Sequence, residues 1–265
     1  MKRMLRVLSG VFVALTLSFK VCCEDSLPTF TLKKAYNDGE FPSEFAAFMD
    51  SVDTSEGVKI AFPKGGARKT NFNRISRVLG KTTLTNVVVD LSESELKTIS
   101  SGVFEDCEFL AKIILSDQVS EIKEDAFRDC RNLKNVDMGE HVRTIGEEAF
   151  SGCYSLASFE IPQSVTVIGE SAFRNCKRLK AITVPDSVKA IEKNAFQGCV
   201  SLRSLSIGTG VETIGDSAFS GCERLTSVVY TGTKEECKWL YPMIGSDNDC
   251  LVALSTTCSD GVYSD

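Results

Sequence analysis

Residues 156–178 read LASFEIPQSVTVIGESAFRNCKR, and Leu179 starts the same pattern again. Within the stretch, Leu156, Phe159 and Ile161 precede Pro162, and Ile168-Gly169 and Ala172-Phe173-x-x-Cys176 follow. These marks recur at a fixed interval of 23 residues. Phe104, Phe127, Phe150, Phe173, Phe196 and Phe219 form one series, and Cys107, Cys130, Cys153, Cys176, Cys199 and Cys222 a second. Ile99, Ile122, Ile145, Ile168, Ile191 and Ile214 form a third, and Leu110, Leu133, Leu156, Leu179, Leu202 and Leu225 a fourth. Four registers that coincide over six copies are beyond chance and define an internal repeat.

The internal spacings convert into structure. Leu179-x-x-Ile182-x-Val184 ends with two apolar residues at period two, which predicts a strand with one face toward a core. Pro185 stops it, and Gly139, Pro162 and Gly208 hold the same place in other copies. Val188 and Ile191 predict a second, short extended stretch on the return path, often closed by glycine as in Ile145-Gly146, Ile168-Gly169 and Ile214-Gly215. Ala195-Phe196-x-x-Cys199 is too short for an α-helix of several turns and predicts one tight helical or 3₁₀ turn. The chain has then gone round once. One such coil cannot bury its apolar side, whereas stacked coils bury a continuous core. Stacking predicts parallel pairing of strands ~4.8 Å apart in one long sheet on the concave side of a solenoid, with Phe and Cys as ladders inside.

The run Leu156-x-x-Phe159-x-Ile161-Pro162-x-Ser164-Val165-x-x-Ile168-Gly169-x-x-Ala172-Phe173-x-x-Cys176 resembles the repeat of the BspA-like, treponemal-type leucine-rich-repeat family almost throughout. The resemblance covers roughly Leu84 to Leu240, more than half of the chain. It implies a leucine-rich-repeat solenoid and a secreted or surface protein engaged in attachment or protein recognition. It transfers no catalytic residue, and it is more specific for fold than for function, because repeat scaffolds host many unrelated partners.

The ends of the array depart from the pattern as caps do. Leu84-x-x-Val87-x-Val89 matches the strand, but three extra residues precede Leu96 and Ile99, so this is a degenerate first copy. Phe45, Phe48, Met49 and Val52 share one helical face, and Phe72, Ile75 and Leu79 repeat that logic before Gly80. Between them Ile60-x-Phe62-Pro63 resembles a repeat strand end, which predicts a helix-strand-helix-strand cap whose two strands extend the same sheet. Core packing explains these aromatic faces better than a cofactor site does. After the last repeat strand, Val228-x-Tyr230, Thr233-Lys234-Glu235-Glu236 has the spacing of a capping box, opening a helix that includes Lys238, Trp239 and Leu240. In the family a short segment of this type closes the array. The polar segment after Thr256 is expected to fray. The division is therefore a signal over 1–23, an α/β cap over 24–83, leucine-rich repeats over 84–230, and a short helical cap and tail over 231–265.

Composition agrees with one sizeable domain: 265 residues, 43% of them hydrophobic, suffice for a well-buried core. The net charge of −6, from 36 acidic and 30 basic residues, opposes the phosphate attraction that drives non-specific nucleic-acid binding, so nucleic acid is not an expected partner. Lys2, Arg3 and Arg6 followed by the apolar run from Val7 to Phe19, shorter than the ~20 residues of a membrane span, predict an export signal. Simple secretion leads, lipidation at Cys22 or Cys23 comes second because Phe19, Lys20 and Val21 fit a lipoprotein signal poorly, and an uncleaved anchor comes third. The periplasm, the cell surface and the medium all stay open as destinations.

Six of the eleven cysteines lie in the repeat ladder. Rungs ~4.8 Å apart hold parallel side chains with Cβ atoms further apart than the ~3.8 Å of a disulfide, which predicts reduced, buried thiols. The same axial spread disfavours a tetrahedral zinc site. Outside the ladder are Cys237, Cys250 and Cys258, where Cys250 with Cys258 is the simplest disulfide and an intact loop without it the alternative. His141, the only histidine, follows a strand and reads as a solvated turn residue, and no Ser-His-Asp or Cys-His set assembles around it. Gly65-Gly66 lacks the Lys-Ser or Lys-Thr of a phosphate loop, and Glu124, Asp125, Glu147 and Glu148 recur as a solvated charged face. No enzyme and no cofactor is predicted.

Binding is expected on the outward side chains of the long sheet. With Ile113 and Leu115 pointing inward, Lys112 and Ile114 point outward, and the successive copies add Asn135 and Asp137, Ser158 and Glu160, Ala181 and Thr183, Ser204 and Ser206, and Ser227 and Val229. Most are small, and Val88 and Ile114 near one end with Val229 near the other complete a surface suited to a protein or peptide ligand from a host or the cell envelope. Small residues that merely let the sheet curve are the competing explanation. A structural component of the cell envelope is the alternative function.

Overall fold

Each copy becomes one coil because its apolar residues face inward at three stations: a long strand, a short strand and a turn. The computed structural model describes residues 27–31, 44, 47, 48, 51, 57–62, 79, 84–240, 244–252 and 256–263. The predicted export signal with Cys22 and Cys23, and Phe45, Met49, Val52, Gly65, Gly66, Phe72, Ile75 and Gly80 of the predicted cap, lie outside these residues. In chain order the strands are β1 Thr29–Thr31, β2 Val58–Ala61, β3 Val87–Asp90, β4 Thr98–Ile99, β5 Leu110–Ile114, β6 Glu121–Ile122, β7 Asn135–Asp137 and β8 Thr144–Ile145. They continue with β9 Val167–Ile168, β10 Ala181–Val184, β11 Ala190–Ile191, β12 Ser204–Ile207, β13 Thr213–Ile214 and β14 Ser227–Tyr230. Helices α1 Lys234–Leu240 and α2 Asp249–Val252 precede β15 Thr256–Cys258 and β16 Gly261–Tyr263.

The two-residue strands of the return path make a six-stranded parallel sheet, β13-β11-β9-β8-β6-β4, whose isoleucines Ile99 to Ile214 are all buried. The six repeat phenylalanines stack with centroids 5.1 to 5.4 Å apart and rings within 10° of parallel. Burying one such ring contributes ~1.5–3 kcal/mol, so this column is a large part of the core.

The tight turn predicted at Ala-Phe-x-x-Cys is present and is closed by i to i+3 bonds, as from Cys130 N to Phe127 O at 3.2 Å. Its remaining amides reach the next coil: Asp125 N, Phe127 N and Asp129 N donate to Glu147 O, Ala149 O and Ser151 O at 2.8 to 3.0 Å. This alternation requires left-handed backbone just before Cys, at Asp106, Asp129, Gly152, Asn175, Gly198 and Gly221, with φ of 53° to 74°. Gly, Asn and Asp adopt that conformation most readily. Among the described residues the cysteines form no disulfide. Each thiol from Cys130 to Cys222 donates to the carbonyl of the phenylalanine of the preceding coil, at 2.9 to 3.4 Å. Burial pushes the thiols of Cys130, Cys153, Cys176 and Cys199 up, and Cys222 up to about 12, so they remain protonated donors.

The long sheet departs from the expectation of one continuous ladder. It is two five-stranded sheets, β1-β2-β3-β5-β7 and β10-β12-β14-β15-β16, because residues 157–161 of the third repeat form no strand. Phe159 sits there where other copies carry Ile, Leu or Val. Its ring enters the phenylalanine column edge-on, 5.0 Å from Phe150 and 4.7 Å from Phe173, and the Phe150–Phe173 spacing is the widest in the column at 5.4 Å. An oversized inward side chain displaces its backbone, and the pairing is lost locally.

Both caps hold more structure than expected. At the N-terminal end β1 adds a third strand ahead of β2 and β3, with Phe30 buried and packed 5.4 Å from Phe48. Glu44, Ala47, Phe48, Ser51 and Leu79 are helical, and Leu79 is buried. At the C-terminal end the capping box forms: Thr233 N donates to Glu236 Oε2 at 2.7 Å and Glu236 N to Thr233 Oγ1 at 3.3 Å. Residues 244–250 then imitate a further coil. Gly245 N donates to Ile214 O, Cys250 Sγ to Phe219 O at 3.2 Å, and the buried Asn248 accepts from Phe219 N at 2.9 Å where a backbone carbonyl serves elsewhere. The segment after Thr256 does not fray: β15 pairs in parallel with β14, and β16 returns antiparallel to it. Cys258 Sγ bonds its own hairpin at Thr256 O, so Cys250 and Cys258 serve different partners and are unpaired.

Candidate binding face

Alternation along each long strand turns every second side chain away from the core. The parallel register aligns these into two rows. Lys59, Val88, Lys112 and Asn135 form the first row of the N-terminal sheet, and Ala61, Asp90, Ile114 and Asp137 the second. In the C-terminal sheet Ala181, Ser204 and Ser227 form the first row, and Thr183, Ser206, Val229 and Thr257 the second.

The N-terminal rows are crossed by diagonal ion pairs, Lys59–Asp90 and Lys112–Asp137, each at 2.7 Å. Burial acts to raise the Asp90 pKa. The Lys59 ammonium, with the hydroxyl and amide of Ser92, outweighs it and holds the carboxyl below the usual carboxylate range. Val88 is buried and offers no apolar contact, contrary to expectation: its register neighbours are two lysines whose long stems shield such a position. Lys112 and Ile114 are half-buried, while Asn135 and Asp137 are exposed.

The C-terminal rows carry no charge. Ala181, Thr183, Ser227 and Thr257 are exposed, and Ser204, Ser206 and Val229 are half-buried. Ser158 and Glu160 are exposed as expected, but they lie on the unpaired stretch 157–161 and not on a strand. Thus Lys112, Ile114, Asn135 and Asp137 share one sheet, Thr183, Ser204, Ser206 and Val229 the other, and Ser158 and Glu160 the gap between them. The gap holds a cleft of about 610 Å³ lined by Val136, Asp137, Met138, Glu140, Glu160, Pro162 and Gln163. Sequence reading passes over Val136 and Met138, since their spacing marks them as core.

Elsewhere the surface is a solvated one. His141 is exposed, and among the described residues no group of three His, Cys, Asp or Glu is placed to hold a metal ion. On the turn side Glu147 is pushed up by burial and then by the neighbouring charges of Glu124 and Glu170. Arg128 sits among Asp125, Glu148, Glu105 and Asp129 at 3.3 to 3.9 Å. No helix among the described residues is long and apolar enough to cross a membrane.

A BspA-type leucine-rich-repeat region matches residues 97–226 in six copies. Among solved structures, a leucine-rich-repeat protein from Bacteroides ovatus is 30% identical, with a TM-score of 0.51, over 60% of this chain and 46% of that one. The chain thus spans just under half the length of the Bacteroides protein. The T. pallidum leucine-rich-repeat protein is 25% identical over 54% of this chain and 79% of its own, with a TM-score of 0.44. A leucine-rich cell surface protein from Faecalibacterium prausnitzii is 26% identical over 60% and 35%, with a TM-score of 0.45. No curated protein matches the chain. Six repeats of one type, stacked as the 23-residue period requires, make residues 97–226 a BspA-type leucine-rich-repeat region.

Proposed function

We propose that the chain is an exported, non-enzymatic module that binds or adheres to a protein through the outer face of its long sheet. The contact residues of this reading are Lys112, Ile114, Asn135, Asp137, Ser158, Glu160, Thr183, Ser204, Ser206 and Val229. The observation that carries it is the flatness of the C-terminal rows, where the register aligns Ala181, Ser204 and Ser227 beside Thr183, Ser206 and Val229. Nothing there is larger than valine, so a partner's backbone can approach closely and pay little side-chain entropy. Export is supported by Lys2, Arg3 and Arg6 ahead of the apolar run 7–19. Photocrosslinkers placed at positions 183 and 206 in intact cells test it, with the exposed turn position Arg174 as control. Adducts from the sheet positions alone support the reading; equal adducts from position 174, or none, sink it. Protease added to intact cells tests surface exposure.

A second reading, an assembly component of the cell envelope, is favoured by the terminal strand β16. Val262 on it is 56% exposed, and among the described strands β16 pairs with β15 alone. Sheet edges of this kind take up another strand. Crosslinks confined to envelope components or to a second copy distinguish this reading from the first.

A further inference from the structure

Three observations coincide at the interruption of the long sheet. Residues 134–140 and 157–163, all of them described, exchange no backbone hydrogen bond, whereas one coil earlier Lys134 N donates to Ala111 O and two coils later Arg203 N to Lys180 O, both at 2.8 Å. One edge of β7 therefore has no strand beside it. Val136 and Met138 hold inward strand positions yet are only partly buried. Their counterparts in the other five copies, Ile113 and Leu115 through Val228 and Tyr230, are at most 7% exposed. The cleft opens at this place, with Pro162 beside the two half-buried core residues and Asp137, Glu140 and Glu160 around them. Lys112 neutralises Asp137, while Glu140 and Glu160 form no ion pair among the described residues.

Each feature selects for one property of an occupant. Unpaired backbone groups at a strand edge accept an extended chain. A patch of half-buried core residues accepts an apolar side chain, and carboxylates at the rim favour cations and disfavour anions. We propose that this break is a docking cleft for an extended basic segment of a protein partner, which pairs with the free edge of β7, lays an apolar side chain on Val136 and Met138, and sets a lysine or arginine against Glu140 and Glu160. The proposal rests on the reading of the chain as a protein-binding module and fixes the partner's chemistry at one place on it.

The probe is a fluorescein-labelled peptide of alternating valine and lysine, about eight residues long as a strand is, titrated into the full chain by anisotropy. Oligolysine of equal charge and the glutamate-for-lysine peptide are the controls. Saturable binding of the valine-lysine peptide alone is expected, weakened about tenfold or more by Glu140→Lys combined with Glu160→Lys. Phe159→Ile, which restores the residue type of other coils and lets 157–161 pair with β7, should close the cleft, abolish binding and slow amide exchange at residues 136–138. Should that variant fail to fold, the double glutamate variant decides. The proposal is overturned by absent binding, by equal binding of oligolysine, by affinity unchanged in the double variant, or by self-association that Phe159→Ile abolishes, which would make a second copy the occupant. The sheet-face reading is judged separately, by the crosslinks from positions 183 and 206.

Discussion

The N-terminal and C-terminal halves of the long sheet are built on the same inward residues and differ on the outside. The first is charged and crossed by Lys59–Asp90 and Lys112–Asp137; the second is neutral and rich in hydroxyls at Thr183, Ser204, Ser206, Ser227 and Thr257. Between them the strand ladder lapses, yet the coils stay in register. The short sheet runs through the gap, pairing Ile145 with Ile168, and the turn continues it with Phe127 N to Ala149 O and Phe150 N to Ala172 O, both at 2.8 Å. The phenylalanine column passes through as well. Stacking is thus held by the core, the return path and the turns, which leaves the long strand as the side where a repeat can vary.

The largest test of this division compares inward with outward substitutions. Leu205→Glu puts an unpaired charge into a fully buried site and should unfold the array, seen as loss of the circular dichroism signal at room temperature. Phe173→Ala removes a ring that serves the column and the edge contact with Phe159, at a cost of about 3–5 kcal/mol in denaturant melts. A cost under about 1 kcal/mol would mean that the column does not carry the halves across the break. Asn248→Ala leaves Phe219 N without its acceptor at the end of the C-terminal half and should cost about 1–3 kcal/mol, with amide exchange accelerated first in 244–250.

Smaller effects separate the two outer faces. Asp90 has a folded pKa below its unfolded value, so its pairing with Lys59 stabilises the chain above the ordinary aspartate value of ~3.9 and is lost as pH falls through the lower folded value. Asp90→Asn should flatten that acid limb in pH melts, by no more than ~1 kcal/mol. The two rows of the neutral C-terminal face have no counterpart. Smallest of all, Thr183→Lys or Ser206→Lys should shift stability by within about 0.5 kcal/mol while abolishing any binding to the sheet. Retained affinity would move recognition to the turns or the N-terminal cap.

What the sequence discloses here is whatever repeats. The period of 23 carries the Phe, Cys, Ile and Leu stations to their observed places, and the tight turn with them. It also holds an unread signal: Asp106, Asp129, Gly152, Asn175, Gly198 and Gly221 are all residues tolerant of left-handed backbone, at one repeat position. The break is another matter. Phe159 satisfies the inward pattern as well as isoleucine does, and its effect arises from the room its ring takes edge-on between Phe150 of the preceding coil and Phe173 of its own, which no local pattern expresses. The final coil escapes notice because Cys250 follows Cys222 by 28 residues (250 − 222), not 23, and Asn248 replaces a backbone group with a side chain. The two rows of candidate contacts follow from alternation, but the burial of Val88 depends on which residues stand beside it in neighbouring coils.

The thiol rungs have a consequence for how such a chain changes length over generations. Every coil from Cys130 to Cys222 is tied to its predecessor by the same thiol-to-carbonyl bond, and Cys250 in the closing segment makes that bond too. The terminal piece therefore joins the last coil by the bond that joins coil to coil, to which Asp216 adds bonds with Ser246. Loss or duplication of a whole internal 23-residue unit keeps the thiol bond at every junction, whereas an insertion of any other length does not. Gene segments encoding this array are free to expand and contract in whole units, and each step lengthens or shortens the outer face without redesigning its ends.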